Sequence, residues 1–191
     1  SASESEAGAI PLLIERVRSG TPVERGEAAE ALGNIAANDK NQAAIAAEGA
    51  IPPLINLLSS GAPEAREMAA FALRRLALNE NIAIVVAKAG ALPSLIELLH
   101  TGTPDSREVA AAALRNIAAA GDETKVAVAE AGAIPPLVEL VRSGTPMARG
   151  EAAAALRNIA YGENNVAIAA SGGIVPLVDL MSNGTPVAKE E

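Results

Sequence analysis

The residue types that most often catalyse reactions or bind metals are nearly absent from this chain. It has one histidine, His100, and no cysteine, which excludes a histidine-based triad, a multi-histidine metal site and a thiol nucleophile. The phosphate-binding loop, the dinucleotide-binding glycine pattern, the zinc-protease helix motif and the EF-hand loop are also missing. We therefore predict no catalytic residue, no metal and no cofactor. Any enzymatic activity would require a catalytic domain outside these 191 residues.

The chemistry that remains is hydrogen bonding by a recurrent asparagine. Asn34, Asn116 and Asn158 each lie in a segment of the form Ala-Leu-x-Asn-Ile-Ala, and the related second segment carries Arg75 instead. An amide side chain offers both a donor and an acceptor, so a ladder of asparagines suits capture of the open backbone of an extended peptide. Each such bond contributes only about 1 kcal/mol, so several would have to act together.

These asparagines belong to a repeat that runs along the whole sequence. Three markers share one register: a Gly-Ala-Ile-Pro type of segment, a Thr-Pro or Ala-Pro pair, and the asparagine segment. The first two markers begin at Gly8 and Thr21, and each recurs at spacings of 41, 41, 42 and 40 residues. Three markers in one register identify a true internal repeat.

Each repeat unit is predicted to contain three helices and no strand. Alanine and leucine dominate the apolar residues, and the period-2 alternation typical of strands is missing. At the Gly-Thr-Pro junction, glycine ends one helix, threonine caps the next and proline occupies its first position. The long third helices are predicted over residues 22–37, 63–78, 104–119 and 146–160.

Such a unit cannot bury its apolar faces alone, so the units are predicted to stack into an all-α solenoid of four to five repeats. The predicted units cover residues 1–38 (partial), 39–79, 80–120, 121–161 and 162–191 (partial) of one domain spanning residues 1–191. The chain begins inside a unit and stops at Lys189-Glu190-Glu191, where a fifth long helix should begin. We therefore expect an excised or engineered fragment, with end-to-end association through uncapped terminal repeats.

Charge and hydropathy limit the classes of partner. The formal net charge is −8, and neither a basic stripe nor stacking aromatic residues are present, which argues against nucleic acid. No apolar run is longer than that of Ile82–Ala87, which is far shorter than the roughly 20 residues that span a bilayer. No signal peptide is visible at the start, so a cytoplasmic or nuclear location is expected.

The three-helix period, the Gly-Ala-Ile-Pro-Pro-Leu-Val junction and the Ala-Leu-x-Asn-Ile-Ala segment resemble the armadillo repeat family over essentially the entire chain. The Gly-Thr-Pro-x-x-Arg motif looks most like the one in the armadillo arrays of plant U-box ubiquitin ligases and vacuolar armadillo proteins. The resemblance implies a right-handed superhelix whose third helices line a concave groove for extended peptides. It also implies that Asn34, Asn116 and Asn158 bind the peptide backbone, with Arg75 at the same position in the second unit.

A second family feature is missing. Adaptors of the importin-α type carry a tryptophan four residues before the asparagine, and this ladder clamps the stems of lysine and arginine. The matching residues here are Glu30, Phe71, Ala112 and Ala154. The resemblance therefore does not extend to binding nuclear-localisation signals, and a groove of this kind would recognise backbone and charge more than stacked side chains.

Helical geometry selects the other groove residues. Positions four, seven and eleven before the asparagine lie within about 40° of it on a helix. The candidate peptide-binding residues on this face, besides Asn34, Arg75, Asn116 and Asn158, are Glu27, Glu30, Glu64, Met68, Phe71, Asp105 and Glu151. Five acids face one arginine, so the predicted ligand is a protein or peptide segment that is extended and basic or of mixed charge.

Each of these features also has a purely structural interpretation. The asparagines could bridge neighbouring helices, Met68 and Phe71 could pack against the next repeat, and the acids could be a solvated helix face. A further ladder, Arg25, Arg66, Arg107 and Arg149, lies on the opposite side and is predicted to hydrogen-bond helix ends or adjacent repeats. The alternatives to peptide binding are a structural scaffold or engineered fragment without its own ligand, or the substrate-binding part of a larger ubiquitin-ligase-type protein.

Overall fold

The computed structural model describes residues 2–182 of the chain, with side chains from residue 8 onward. That part of the chain forms thirteen α-helices and no strand, which confirms the all-α prediction. The helices are α1 (Ala2–Ser19), α2 (Pro22–Ile35), α3 (Asp39–Ala47), α4 (Ile51–Ser60), α5 (Pro63–Leu76), α6 (Glu80–Lys88), α7 (Leu92–Thr101), α8 (Pro104–Ala119), α9 (Asp122–Glu130), α10 (Ile134–Ser143), α11 (Pro146–Ile159), α12 (Asn164–Ala170) and α13 (Ile174–Ser182).

The third helices α2, α5, α8 and α11 begin at the four predicted prolines and end within two residues of the predicted ends. At the start of α2, the Thr21 hydroxyl accepts from the Glu24 N–H, and the Glu24 carboxylate accepts from the Thr21 N–H at 2.8 Å. This reciprocal pair is a capping box. The backbone hydrogen bond from Thr21 also holds the pKa of Glu24 below its usual value. The Thr103 and Thr145 hydroxyls accept from the N–H groups of Ser106 and Ala148 at the starts of α8 and α11, without a reciprocal glutamate. Ala62 gives α5 no side-chain cap.

A sharp turn joins the first helix of a unit to the second. The two helices cross at 84° or 85° in the three pairs α3–α4, α6–α7 and α12–α13. The turn places Gly49, Gly90, Gly132 and Gly172 at φ of 78°, 91°, 91° and 71°, where a side chain would be strained. No single helix in residues 2–182 is long and apolar enough to cross a membrane, although those three bent pairs reach the required length and composition together.

The first unit differs from this pattern. Gly8 begins the first marker, as Gly49 does in the second unit, but α1 runs without a break from Ala2 to Ser19 and includes Pro11. The fifth long helix expected after Thr185-Pro186 lies outside the described residues.

The units stack so that the main packing partners of each helix lie in its own unit or an adjacent one. Third helices pack on third helices (α2 on α5, α5 on α8, α8 on α11), and second helices pack on second helices (α1, α4, α7, α10 and α13). Leucine and isoleucine from both layers form one continuous core, in which Leu32, Leu73, Leu114 and Leu156 are at most 1% exposed. This is the solenoid arrangement that the repeat predicted.

Three of the four arginines in the arginine ladder bond a third helix to the helix before it. The guanidinium Nε atoms of Arg25, Arg66 and Arg149 donate to the carbonyls of Val17, Leu58 and Val141, at 3.0, 2.9 and 2.9 Å. These carbonyls lie in the last turns of α1, α4 and α10, where helix carbonyls lack intrahelical partners. The predicted helix-end role is confirmed for these three residues. Arg107 is the exception, because its Nε is buried without a hydrogen-bond partner.

Candidate functional site

The candidate site is the surface of the four adjacent third helices that carries the sequence-predicted residues, here called the third-helix face. Asn34, Glu27, Glu30, Glu64 and Asp105 are exposed on it. Met68, Phe71, Arg75, Glu151 and Asn158 are half-buried, whereas Asn116 is buried with 9% of its surface exposed. The predicted residues therefore differ in exposure, and they do not all present free polar groups to solvent.

A cleft between α2 and α5 brings five of the face positions together. It has a volume of about 440 Å³ and includes Glu27, Glu30, Glu64, Val23 and Met68 among its lining residues. Pro22, Gly26, Ala62 and Ala65 complete the lining, so carboxylates surround an apolar floor. Among the four third helices, this pair therefore offers both apolar contact and negative charge to a ligand.

Two of the predicted asparagines hydrogen-bond the neighbouring helix. The Asn116 Nδ2 donates to the Arg74 carbonyl at 3.0 Å, and the Asn158 Nδ2 donates to the Arg115 carbonyl at 3.0 Å. The Asn116 Oδ1 also accepts from Arg115 Nε and Nη2, at 3.2 and 3.1 Å. In the described chain, these amides bridge successive third helices, as the structural alternative predicted. One N–H of each amide is used in this way, and a second remains.

Asn34 is placed differently. It is exposed at the end of α2, and its amide makes no hydrogen bond to another residue of the described chain. Its donor and acceptor are therefore both open to a ligand. Of the three asparagines, Asn34 meets the sequence-based expectation for an open amide most fully.

An arginine and aromatic cluster, formed by Arg74, Arg75 and Phe71, occupies the middle of the face. The guanidinium carbons of Arg74 and Arg75 lie 5.5 and 5.4 Å from the centre of the Phe71 ring, within cation–π distance. The ring edge packs over Gly33 of α2, where an added Cβ would lie 2.5 Å from the ring. Phe71 therefore links two repeats and also supports two cations.

Charges around this cluster come from three helices. Arg115 of α8 forms an ion pair with Glu151 of α11 at 2.7 Å. The pKa of Arg74 is lowered, chiefly by burial and next by the like charge of Arg75, while Glu151 and Glu108 act in the opposite direction. Sequence geometry did not select Arg74 and Arg115, because they lie one position before the asparagine position. The Arg-Asn dipeptide, which recurs in the repeat, is the sequence feature that could have identified these arginines.

A second cleft lies at the end of the described array, among α11, α12 and α13. It has a volume of about 680 Å³ and an apolar lining that includes Ile168, Ile174, Leu177, Leu180 and Met181. Met181 is 85% exposed there. Within residues 2–182, no group of three or more metal-binding side chains is found.

The two segments of residues 79–119 and 121–161 match the armadillo/beta-catenin-like repeat, and residues 22–76 match the HEAT-like repeat. No curated protein shows significant similarity to the chain. Among solved structures, an engineered protein is 34% identical, with a TM-score of 0.88 over 93% of this chain and 75% of its own.

Two further structures carry informative descriptions. A set of computationally designed armadillo repeat proteins for modular peptide recognition is 30% identical, with a TM-score of 0.86 over 93% of this chain and 76% of the other. A designed armadillo repeat protein in complex with the peptide (KR)4 is 29% identical, with a TM-score of 0.87 over 96% of this chain and 78% of the other.

Proposed function

The chain belongs to the armadillo repeat family, and we propose that it is a non-catalytic module whose third-helix face binds an extended peptide segment. The fold is one that serves generally as a binding scaffold. Solved relatives include armadillo repeat proteins designed for peptide recognition and a designed armadillo repeat protein in complex with (KR)4. These likenesses support peptide binding as the class of function.

The cleft between α2 and α5 is the observation that carries the proposal for this chain. Glu27, Glu30 and Glu64 surround a floor to which Met68 and Val23 contribute. Carboxylates at the rim attract lysine and arginine head groups, and the floor accommodates their aliphatic stems. The ligand we propose is therefore an extended peptide with basic residues at this end of the face.

The asparagines make an unequal contribution in this proposal. Asn34 offers its complete amide to the peptide backbone, whereas Asn116 and Asn158 have one N–H left for a ligand after bridging the adjacent helices. Those inter-helix bonds favour the second candidate, a structural scaffold without a ligand of its own. Resemblance to the plant U-box and vacuolar arrays, a role as the substrate-binding part of a larger ligase, and a cytoplasmic or nuclear location remain proposals on the sequence alone.

Neutralising the acidic cleft should weaken binding of a basic peptide. We expect the triple variant Glu27→Gln, Glu30→Gln, Glu64→Gln to bind (KR)4 about fivefold to tenfold more weakly, since each partly exposed ion pair contributes under about 1 kcal/mol. Raising NaCl from about 50 to about 500 mM should weaken the unaltered chain as well. Fluorescence anisotropy of a labelled (KR)4 peptide measures both effects.

The control is a triple glutamine variant at Glu48, Glu130 and Glu163, which lie at the ends or caps of first helices and are exposed. It changes net charge by the same amount as the cleft variant and should bind (KR)4 as the unaltered chain does.

In the same assay, Asn34→Ala tests backbone capture without removing an internal hydrogen bond. Equal weakening by both triple variants would reject the cleft, and a random peptide library that yields no binder would favour the scaffold.

The cleft at the end of the described array supports a proposal for self-association. Each internal unit buries one face against the preceding unit and the opposite face against the next, so the two end faces of a solenoid are complementary. We propose that Ile174, Leu177 and Met181 of one copy pack against the α1 end of a second copy. Leu12 on α1 is 60% exposed, which leaves apolar surface there.

End-to-end association should make the mass depend on concentration. In sedimentation equilibrium of the 191-residue chain, we expect the average mass to rise with concentration and the variant Ile174→Lys, Met181→Lys to remain monomeric. Val166→Lys is the matched control, since Val166 is 65% exposed on α12 and does not line the cleft. A constant monomer mass for the unaltered chain would overturn this proposal.

A further inference from the structure

Arg75 is a cation that the fold holds in place without giving it an anion. Four other half-buried arginines have acceptors: Arg25, Arg66 and Arg149 donate to carbonyls, and Arg115 pairs with Glu151. Arg107, like Arg75, has a buried Nε without a partner, but in the described chain Arg75 differs from it by lying over an aromatic ring. Arg75 makes no hydrogen bond or ion pair within the described chain, and its Nε is buried without a partner. A half-buried guanidinium without an acceptor is costly, because part of its hydration is lost and nothing replaces it.

The Phe71 ring explains why Arg75 keeps this position. Its guanidinium lies 5.4 Å from the ring centre, and Phe71 is itself fixed by its packing over Gly33. A cation–π contact uses the face of the guanidinium and leaves the N–H groups at its edge available. Because the buried unpartnered nitrogen is Nε, the Nη nitrogens are the donors that a ligand can reach.

The surrounding charges favour an anion at this point. Arg74 flanks Phe71 on the same helix at 5.5 Å and adds a second positive charge. The nearby carboxylates are engaged elsewhere: Glu151 pairs with Arg115, and Glu67 accepts from Ser106 and Thr103 at the start of α8. Glu108 offsets part of the charge on Arg74. Arg74, Arg75 and Arg115 thus carry three positive charges near two carboxylates, those of Glu108 and Glu151. The one ion pair among these five described residues joins Glu151 to Arg115.

We propose that Arg75, supported by Phe71 and Arg74, binds an anionic side chain of the peptide, either a carboxylate or a phosphate. Guanidinium edges match both groups through paired, charge-assisted hydrogen bonds. The assignment rests on the proposed function and refines it: the ligand is basic where it meets the acidic cleft of α2 and α5 and acidic where it meets Arg75. Replacement of the repeat asparagine by arginine in the second unit is thereby a specificity determinant.

The test scans one anion through a basic peptide. Each of the eight positions of (KR)4 is replaced in turn by Glu, Gln or phosphoserine, and binding is measured by fluorescence anisotropy. At one or two adjacent positions, we expect Glu to bind about fivefold more tightly than Gln, since the charge-assisted bonds form at a partly exposed site. A Glu preference above phosphoserine identifies a carboxylate ligand, and the reverse order identifies a phosphorylated one.

Variants at Arg75 decide whether this preference arises there. Arg75→Gln should abolish the preference for Glu, and Arg75→Lys should retain part of it. Arg157→Gln is the control, since Arg157 is an exposed arginine of α11 outside the cluster. No preference at any position, or a preference that survives in Arg75→Gln, would overturn the assignment.

A second measurement separates this assignment from peptide binding itself. Acetate and inorganic phosphate are titrated into the ¹⁵N-labelled chain while the arginine Nε–H resonances are followed by NMR. A shift of the Arg75 resonance, assigned by its loss in Arg75→Gln, is expected with at least one anion. If (KR)4 and its derivatives fail to bind while this resonance shifts, the proposed function fails and the anion site stands. An unmoved Arg75 resonance overturns the site.

Discussion

Leu114→Ala should lower the free energy of unfolding by about 3 kcal/mol, the range measured when a fully buried leucine is truncated without collapse of the surrounding structure. Leu114 is 0% exposed in α8, which packs against α5, α7 and α11. The variant loses the burial energy of the removed methyl groups. The cavity left between α8 and its neighbours adds to the cost, because the packed helices cannot close in to fill it. Urea denaturation followed by circular dichroism at the helix band gives the value.

The position of Leu114 in the array makes the result more than a local loss. In a stacked array, each unit is stabilised by its neighbours, so weakening a central unit uncouples the units on either side. We expect a broader urea transition as well as a lower midpoint. Leu78→Ala is the control: Leu78 is 52% exposed, so its truncation should cost much less. Equal losses for the two variants would contradict the assigned core.

Two helical glycines should respond in opposite ways to the same substitution. Gly33→Ala places a Cβ 2.5 Å from Phe71 Cδ1 and 3.2 Å from the Ala72 Cα, whereas Gly150→Ala finds no atom within 4 Å. Alanine favours a helix over glycine by about 1 kcal/mol, and overpacking costs about 1–3 kcal/mol. We expect Gly150→Ala to raise the free energy of unfolding by up to about 1 kcal/mol, and Gly33→Ala to lower it by about 1–2 kcal/mol.

A double-mutant cycle connects this effect to Phe71. In the Phe71→Ala background, the obstacle at Gly33 is gone, so Gly33→Ala should cost less than it does alone. Chemical denaturation of the four chains measures the coupling. Additive effects would show that the ring does not occupy the space above Gly33. Because three other units carry arginine at this position, repeat-based reasoning alone would favour replacing Gly33 and would miss the cost.

The predictable part of the fold is the part that local chemistry determines. Thr21-Pro22 and its counterparts open the third helices as expected, because an N-cap and a first-position proline act within one turn. Glycines such as Gly49 mark the sharp turns for an equally local reason, the sign of φ. Gly8 shows the limit: the same motif lies inside the continuous helix α1 and makes no turn there.

The site was less predictable, because its side chains choose between neighbours that are far apart in sequence. Helical geometry assigned Asn116 to the peptide-binding face, but it is buried and its amide donates to the Arg74 carbonyl, 42 residues away. Phe71 was identified as a lone aromatic rung, yet its packing depends on the absence of a side chain at Gly33. Arg74 was missed because a long, flexible side chain reaches beyond the face to which its Cα belongs.

The side-by-side stacking of α2, α5, α8 and α11 also determines how many ligand residues correspond to one repeat unit. Adjacent packed helices lie roughly 8–10 Å apart, and an extended chain advances about 3.3 Å per residue, so one unit corresponds to two or three ligand residues. A peptide whose charges change at that interval would stay in phase with the acidic cleft and with Arg75. A repeat period of about 41 residues in the protein would thus correspond to a period of two or three residues in the peptide that it binds.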